Sequence, residues 1–164
     1  MARALIVGCG CRGRALGERL VAAGWQVRGT TRDPEATGAI EAAGIEASVA
    51  DPGMVGTVYD QLDGVAVVYW LLASATGRAE DLEALHGPRL ERLLEKLVDT
   101  PVRGFVYESR GSVAAPVREG GERLVREAHE RWRIPVALVT ADPGDPEGWA
   151  YAMEVAAGRL TGVA

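Results

Sequence analysis

A glycine-rich segment near the amino terminus carries the clearest chemical signal in the sequence. It reads Gly8-Cys9-Gly10-Cys11-Arg12-Gly13, a G-x-G-x-x-G pattern between a short apolar run and a helical pattern. In that context Gly8 permits a tight turn, Gly10 lets backbone N–H groups approach a pyrophosphate, and Gly13 lets the helix pack closely on the strand. The helix start also presents partial positive charge. The predicted phosphate-binding residues are Gly8, Gly10, Cys11, Arg12 and Gly13.

Two other classes of protein also have a glycine-rich loop between a strand and a helix. A Walker A loop shares the spacing from Gly8 to Gly13, but it continues with lysine and a hydroxyl residue, whereas this chain continues with Arg14 and Ala15. Alanine offers no hydroxyl to Mg²⁺, so this interpretation fails. A methyltransferase would also place a glycine loop here, together with an acid at the end of the second strand. Coenzyme A and S-adenosylmethionine stay open as weaker alternatives.

The end of the second predicted strand bears on the choice of nucleotide. An NAD-binding protein typically has Asp or Glu there, which accepts hydrogen bonds from the adenosine ribose. This chain instead has Thr30, Thr31 and Arg32, two small donors and a guanidinium suited to a 2′-phosphate. Asp33 is the nearby acid, but it precedes Pro34 and is better placed to cap the following helix. The sequence therefore favours NADP over NAD.

Apolar strand-like runs alternate regularly with amphipathic helical segments along the chain. Strands are predicted at residues 3–7, 25–30, 45–49, 65–72, 102–108 and 135–140. Helices are predicted at 14–23, from 33, at 51–62, 78–98, 119–132 and 149–160. This alternation predicts an α/β fold with a doubly wound parallel sheet of order 3-2-1-4-5-6. We expect one dinucleotide-binding domain spanning residues 1–164.

Composition excludes several classes of function. The 164 residues carry 18 Lys and Arg against 23 Asp and Glu, a net charge of −5, which argues against nucleic acid or an anionic membrane as partner. No apolar run approaches the ~20 residues of a membrane span. Two cysteines, Cys9 and Cys11, lack the further ligands of a zinc site. The amino terminus opens directly into a strand without a signal-peptide pattern, so we expect a cytoplasmic protein.

At these residues the chain resembles the short-chain dehydrogenase/reductase superfamily, specifically its extended and atypical branches. The segment LIVGCGCRGRALGERLVAAGWQVRGTTRDP is similar to the amino-terminal third of atypical, epimerase-like members. VRGTTRDP also resembles the corresponding segment of NADP-dependent dihydroflavonol and cinnamoyl-CoA reductases. In those enzymes the arginine at the Arg32 position contacts the 2′-phosphate.

The resemblance implies roles for residues further along the chain. Asp51 stands after the third strand, where the family's acid holds the adenine amino group. In the family, the end of the fourth strand lies beside the two ribose groups of the cofactor. The residues at that position in this chain are Leu72, Ala73 and Ser74. The fifth strand usually ends in a catalytic Ser or Thr, and Ser109 takes that place.

The sequence also departs from the family. Catalysis there depends on Tyr-x-x-x-Lys, but the only lysine is Lys96 and no such motif exists in this chain. The chain also ends near the last Rossmann helix, so the resemblance implies a truncated member without a substrate domain. Ser109 and Tyr107 remain as candidate proton donors. His86 and His129 are expected at surface or half-buried helix positions, without catalytic roles.

Two functions are therefore predicted. The first is a cofactor-binding or sensing module with weak or no standard catalysis. The second is an NADP-dependent oxidoreductase acting on a small carbonyl or sugar-nucleotide-like substrate with a non-standard proton donor. By their order in the chain, the helices at 78–98 and 119–132 correspond to the pair that many family members use in a homodimer, so a homodimer is also expected.

Overall fold

A six-stranded parallel sheet forms the centre of the computed structural model, which describes residues 2–162. Its order is β3-β2-β1-β4-β5-β6, so the predicted order 3-2-1-4-5-6 is confirmed. All neighbouring strands pair in parallel. The strands are β1 Arg3–Val7, β2 Gln26–Thr31, β3 Glu46–Val49, β4 Val65–Trp70, β5 Gly104–Glu108 and β6 Val136–Val139.

Seven α-helices and one short 3-10 helix, Pro34–Ala36, connect the strands within the described residues. The helices are α1 Cys11–Ala22, α2 Thr37–Ala42, α3 Val55–Tyr59, α4 Ala79–Leu85, α5 Pro88–Leu97, α6 Ala115–Trp132 and α7 Pro146–Thr161. Asp33 accepts a hydrogen bond from the Glu35 amide at the start of the 3-10 helix.

The predicted long helix over residues 78–98 was wrong in one respect, because it is two helices. Gly87 has non-helical backbone angles, φ −130° and ψ −110°, and Pro88 begins α5. Proline has no N–H for the preceding turn and its ring clashes with a helical backbone behind it, so α4 ends before it. The predicted helix at 51–62 is likewise shorter, because Asp51 and Met54 close a turn before α3.

Each face of the sheet is covered by its own apolar core, since β4 is buried along its whole length. Helices α1, α2 and α7 pack on one face, around Leu16, Leu20 and Trp149. Helices α3, α5 and α6 pack on the other, around Leu90, Leu94 and Val125. None of the helices within residues 2–162 combines the length and the apolar character needed to cross a membrane.

This strand order creates a gap above the sheet. After β1 the chain crosses to β2 on one side, and after β4 it crosses to β5 on the other side. The loops that follow these two neighbouring strands therefore diverge. Open α/β sheets bind ligands in the crevice at the carboxyl ends of the strands at such a point.

Candidate functional site

A groove runs along the carboxyl edge of the sheet at this divergence. It consists of three adjoining cavities that share lining residues. A central cavity of about 380 Å³ lies over the loop after β1 and the end of β2. A second, of about 280 Å³, continues toward α7, and a third, of about 360 Å³, continues toward α4. Most of the predicted ligand-binding residues lie on these walls.

The loop between β1 and α1 turns sharply because of its glycines. Gly8 has φ +88°, and a Cβ there would lie 2.7 Å from the Leu71 carbonyl oxygen. The Cys9 amide donates to the Thr30 carbonyl at 2.9 Å, which ties the loop to β2. A Cβ at Gly13 would come within 3.1 Å of the Gly8 carbonyl oxygen, so this glycine allows α1 to pack against the loop. The Cys9 side chain is buried, and burial raises its pKa to about 11.

Gly10 is the residue before α1, and its Cα faces open space. A Cβ there would have nothing within 4 Å, and Gly10 lines both the central and the second cavity. Within residues 2–162 no side chain caps the start of α1. The N–H groups of the first helical turn therefore point toward open space, with the positive end of the helix dipole behind them. This is an arrangement that binds phosphate.

The end of β2 forms one wall of the central cavity. Thr30 is buried, and its Oγ1 accepts a hydrogen bond from the Gly8 amide at 3.4 Å. Thr31 Oγ1 accepts from the Asp33 amide at 3.1 Å. The exposed Arg32 lines both the central and the third cavity.

A second arginine, Arg14 on the first turn of α1, also lines the central cavity. Neither Arg14 nor Arg32 is paired with a carboxylate in the described part of the chain. Two unpaired guanidinium groups therefore border one cavity, which gives it a positive potential. Sequence reasoning missed Arg14 as a lining residue, although its position one turn into α1 offered a signal.

The third cavity extends the groove beyond Arg32 toward α4. Asp51 lies on its wall, with one carboxylate oxygen accepting from the Gly53 amide at 2.8 Å and the other making no hydrogen bond among residues 2–162. Apolar side chains supply much of the remaining wall, among them Pro52, Met54, Leu82 and Leu85. A planar apolar group with an N–H donor at its edge fits such a cavity.

Of the three predicted ligand-binding residues in the loop after β4, two line the groove and one does not. Leu72 and Ser74 line the central cavity. Ala73 is fully buried and lines none of the three cavities. Its carbonyl accepts from the Val113 amide at 2.9 Å, which fastens this loop to the loop after β5. A Cβ at Gly111 would lie 2.3 Å from the Ala73 carbonyl oxygen, so the two loops are in direct contact.

A buried carboxylate, Glu108 at the end of β5, lies beneath the second cavity. One oxygen accepts from the Ala73 amide at 3.1 Å and the other from the Trp149 indole N–H at 2.9 Å. The Arg12 guanidinium lies 3.8 Å from the second oxygen and over the Trp149 ring. Burial raises the pKa of Glu108, and Arg12 and the two N–H donors oppose that shift.

The two candidate proton donors lie beneath the groove. Ser109 is buried, and its Oγ donates to the Val139 carbonyl at 3.1 Å. Tyr107 is buried in the core beneath α5 and α6, its hydroxyl is 2.6 Å from His86 Nδ1, and burial raises its pKa. Neither residue lines any of the three cavities.

The expectation for His86 was wrong, because this residue is 1% exposed. Its Nε2 lies 2.9 Å from the Leu72 carbonyl, so the ring connects α4 to the loop after β4. Since a carbonyl only accepts, Nε2 carries the proton and Nδ1 accepts from Tyr107. Burial lowers the pKa of His86. The Gly87-Pro88 pair that follows His86 at the end of α4 was the available sequence signal.

The structure thus brings most of the predicted ligand-binding residues to one groove. Those that line it are Gly8, Gly10, Cys11, Arg12, Gly13, Thr30, Thr31, Arg32, Asp51, Leu72 and Ser74. Sequence reasoning missed Trp149, which lines the second cavity, and Glu108, which accepts a hydrogen bond from Trp149 behind that wall. An acid ending an otherwise apolar buried strand was the available signal for Glu108. No cluster of His, Cys, Asp and Glu able to hold a metal ion occurs within residues 2–162.

Comparison with known proteins gave structural matches only. No sequence-family model and no curated protein matches the chain. Among solved structures, it is similar to UDP-glucuronic acid 4-epimerase from Bacillus cereus in complex with NAD, with 20% identity and a TM-score of 0.66 over 83% of this chain and 54% of that one. The chain has the fold of these proteins.

Two further structures extend this similarity. A short-chain dehydrogenase/reductase superfamily protein from Agrobacterium tumefaciens with bound NAD is 23% identical, with a TM-score of 0.66 over 83% of this chain and 48% of that one. A metagenomic short-chain oxidoreductase in complex with NADP is 20% identical, with a TM-score of 0.70 over 95% of this chain and 90% of that one. The chain spans about half the length of the first two structures and nearly all of the third.

Proposed function

We propose that this chain is an NADP(H)-binding Rossmann protein of the atypical short-chain dehydrogenase/reductase type. The observation that carries the proposal is the uncapped start of α1 beneath Gly10, where open space replaces a side chain. A pyrophosphate there would receive the N–H groups of the first helical turn. The cavities on either side leave room for the two halves of a dinucleotide.

The adenosine half is assigned to the side of the groove near β2 and β3. Asp51 and the apolar wall of the third cavity suit adenine, whose amino group can donate to the carboxylate. Arg32 and Arg14 suit a 2′-phosphate, which carries up to two negative charges beside the ribose. The end of β2 offers no free acid for a ribose 2′-hydroxyl, since Asp33 caps the 3-10 helix. These features favour NADP over NAD.

A cofactor-binding or sensing role is favoured over standard catalysis. A bound nicotinamide supplies hydride transfer, which at a carbonyl requires a nearby proton donor. The hydroxyl groups of Ser109 and Tyr107 are buried and hydrogen-bonded within the protein. The alternative function, an NADP-dependent oxidoreductase, would need one of them to become exposed on binding. A screen of carbonyl substrates with the wild-type chain and the Ser109→Ala variant separates the two functions. NADPH oxidation by the wild-type chain that is lost in the variant would favour the oxidoreductase.

The predicted homodimer through α4, α5 and α6 stays a prediction. The charged residues that line the groove between α5 and α6 are four acids, Glu91, Glu95, Glu127 and Glu130, and one cation, Arg131. A two-fold symmetric contact would bring these acids on both copies together, which opposes association at low salt. Sedimentation at low and high ionic strength tests this, because a dimer formed through this face should strengthen as salt is added.

Calorimetric titration tests the proposed cofactor. NADP⁺ and NAD⁺, with their reduced forms, are titrated into the wild-type chain and into Arg32→Ala. We expect NADP(H) to bind at least about tenfold more tightly than NAD(H), and the variant to lose most of that difference, as removal of a charge-assisted phosphate contact implies. Arg78→Ala is the matched control, because Arg78 pairs with Glu80 at an exposed site outside the groove. Absence of binding to all four nucleotides would reject the proposal.

A further inference from the structure

Arg12 lines both the central and the second cavity, and its guanidinium places a positive charge beside Trp149 on the wall of the second. The guanidinium lies over the Trp149 ring, 5.5 Å from its centroid, and both residues line the second cavity. About one third of the Arg12 side chain is exposed, so the charge faces the cavity as well as the protein. No hydrogen bond from this guanidinium to another residue forms within residues 2–162. Its N–H groups therefore remain free to donate hydrogen bonds to a group in the cavity.

Glu108 holds Arg12 there and offsets only part of its charge. The carboxylate is 1% exposed, and its oxygens already accept from Ala73 and Trp149. At 3.8 Å the contact with Arg12 is an ion pair without a hydrogen bond. Glu108 lies behind the cavity wall while Arg12 forms part of that wall. A group inside the cavity is thus nearer to the positive charge than to the negative one.

The proposed function determines which part of the cofactor would lie there. The adenosine half is assigned to the side of Arg32 and Asp51, and the pyrophosphate to Gly10. The second cavity lies on the opposite side of Gly10, toward α7, so it is left for the nicotinamide half. The oxidised nicotinamide ring carries one positive charge and the reduced ring carries none. The rest of the cofactor is the same in both states.

We infer that Arg12 makes the groove a redox-selective site, which binds reduced NADPH more tightly than oxidised NADP⁺. This rests on the proposed function, and it adds a specific ligand state to it. Repulsion between two like charges in a half-solvated cavity, partly offset by Glu108, gives a preference of about threefold to tenfold. A chain with this selectivity reports the ratio of the two cofactor forms and requires no catalysis.

The test compares the dissociation constants of NADPH and NADP⁺ by calorimetry in the wild-type chain and three variants. Arg12→Gln removes the charge but keeps a polar side chain, and we expect the ratio to fall to about one. Arg12→Lys restores the charge without the planar guanidinium, and the preference should persist. Arg14→Gln removes a cation from the central cavity, so it should weaken both forms equally and leave the ratio unchanged. Thermal unfolding of each variant establishes that it is folded.

Three outcomes distinguish the two claims. A preference for NADPH that disappears in Arg12→Gln and survives in Arg12→Lys supports the inference. Equal binding of both forms by the wild-type chain, or an unchanged preference in Arg12→Gln, overturns it while the proposed function stands. If the wild-type chain binds neither form, the proposed function itself fails.

Discussion

Gly121 on α6 leaves room for the buried hydroxyl of Tyr107, and its neighbour Gly120 provides a matched control. A Cβ at Gly121 would lie 2.1 Å from the Tyr107 hydroxyl oxygen and 2.7 Å from its Cζ, whereas a Cβ at Gly120 would have nothing within 4 Å. Tyr107 has no space to withdraw, because it is fully buried and its hydroxyl is 2.6 Å from His86.

The two alanine substitutions should therefore act in opposite directions. Gly120→Ala gains helix propensity and should raise the free energy of unfolding by up to ~1 kcal/mol. Gly121→Ala gains the same propensity, but overpacking costs about 1–3 kcal/mol and loss of the Tyr107–His86 hydrogen bond about 1 kcal/mol more. The net effect is destabilisation by about 1–3 kcal/mol, and the two variants should differ by about 2–4 kcal/mol.

Urea denaturation followed by circular dichroism measures both free energies. Adding Tyr107→Phe should recover part of the loss in Gly121→Ala, because it removes the atom that the new methyl group meets first. It should recover nothing in Gly120→Ala. If Gly121→Ala is as stable as Gly120→Ala, the packing of Tyr107 against α6 described here is wrong.

Three further predictions concern the groove and its supports. Burial lowers the pKa of His86 in the folded chain, whereas the same residue in the unfolded chain binds a proton below pH ~6.5. The free energy of unfolding should thus fall as pH drops from 7.5 to 5.5, by at most ~1.4 kcal/mol per pH unit, and less so in His86→Gln. Trp149→Phe leaves one Glu108 oxygen without its buried donor and should cost about 1–3 kcal/mol in denaturant titrations; an unchanged midpoint would contradict that hydrogen bond. Gly8→Ala forces a side chain into a positive-φ position 2.7 Å from the Leu71 carbonyl. It should lower the thermal midpoint and weaken NADPH binding more than tenfold, and wild-type affinity would refute this role.

The sequence was sufficient to predict those features that depend on neighbouring residues. The order of the six strands followed from regular alternation, because parallel strands joined by right-handed crossovers have few possible arrangements. The roles of Gly8 and Gly13 followed from their place between a strand and a helix. The cap at Asp33 followed from the proline beside it, and the structure places its carboxylate on the Glu35 amide.

Features that depend on distant contacts were not predictable in this way. His86 is separated by 21 residues from Tyr107, and its burial depends on how α4 meets the end of β5. Trp149 is 41 residues from Glu108, so nothing local linked their hydrogen bond to the groove. The break before Pro88 was visible in the sequence, but the leucine spacing on either side of it masked the change in direction.

The most direct test of the account is to map where NADPH binds. Titration of the ¹⁵N-labelled chain, followed by NMR, reports each backbone amide separately. We expect shifts concentrated at Gly10–Gly13, Thr30–Arg32, Leu72 and Ser74, which line the groove. Amides near Trp25 and Tyr151, which line an apolar cavity of about 480 Å³ between α1 and α7, should not move. Shifts confined to that cavity, or none at saturating NADPH, would contradict the assignment of the groove as a dinucleotide site.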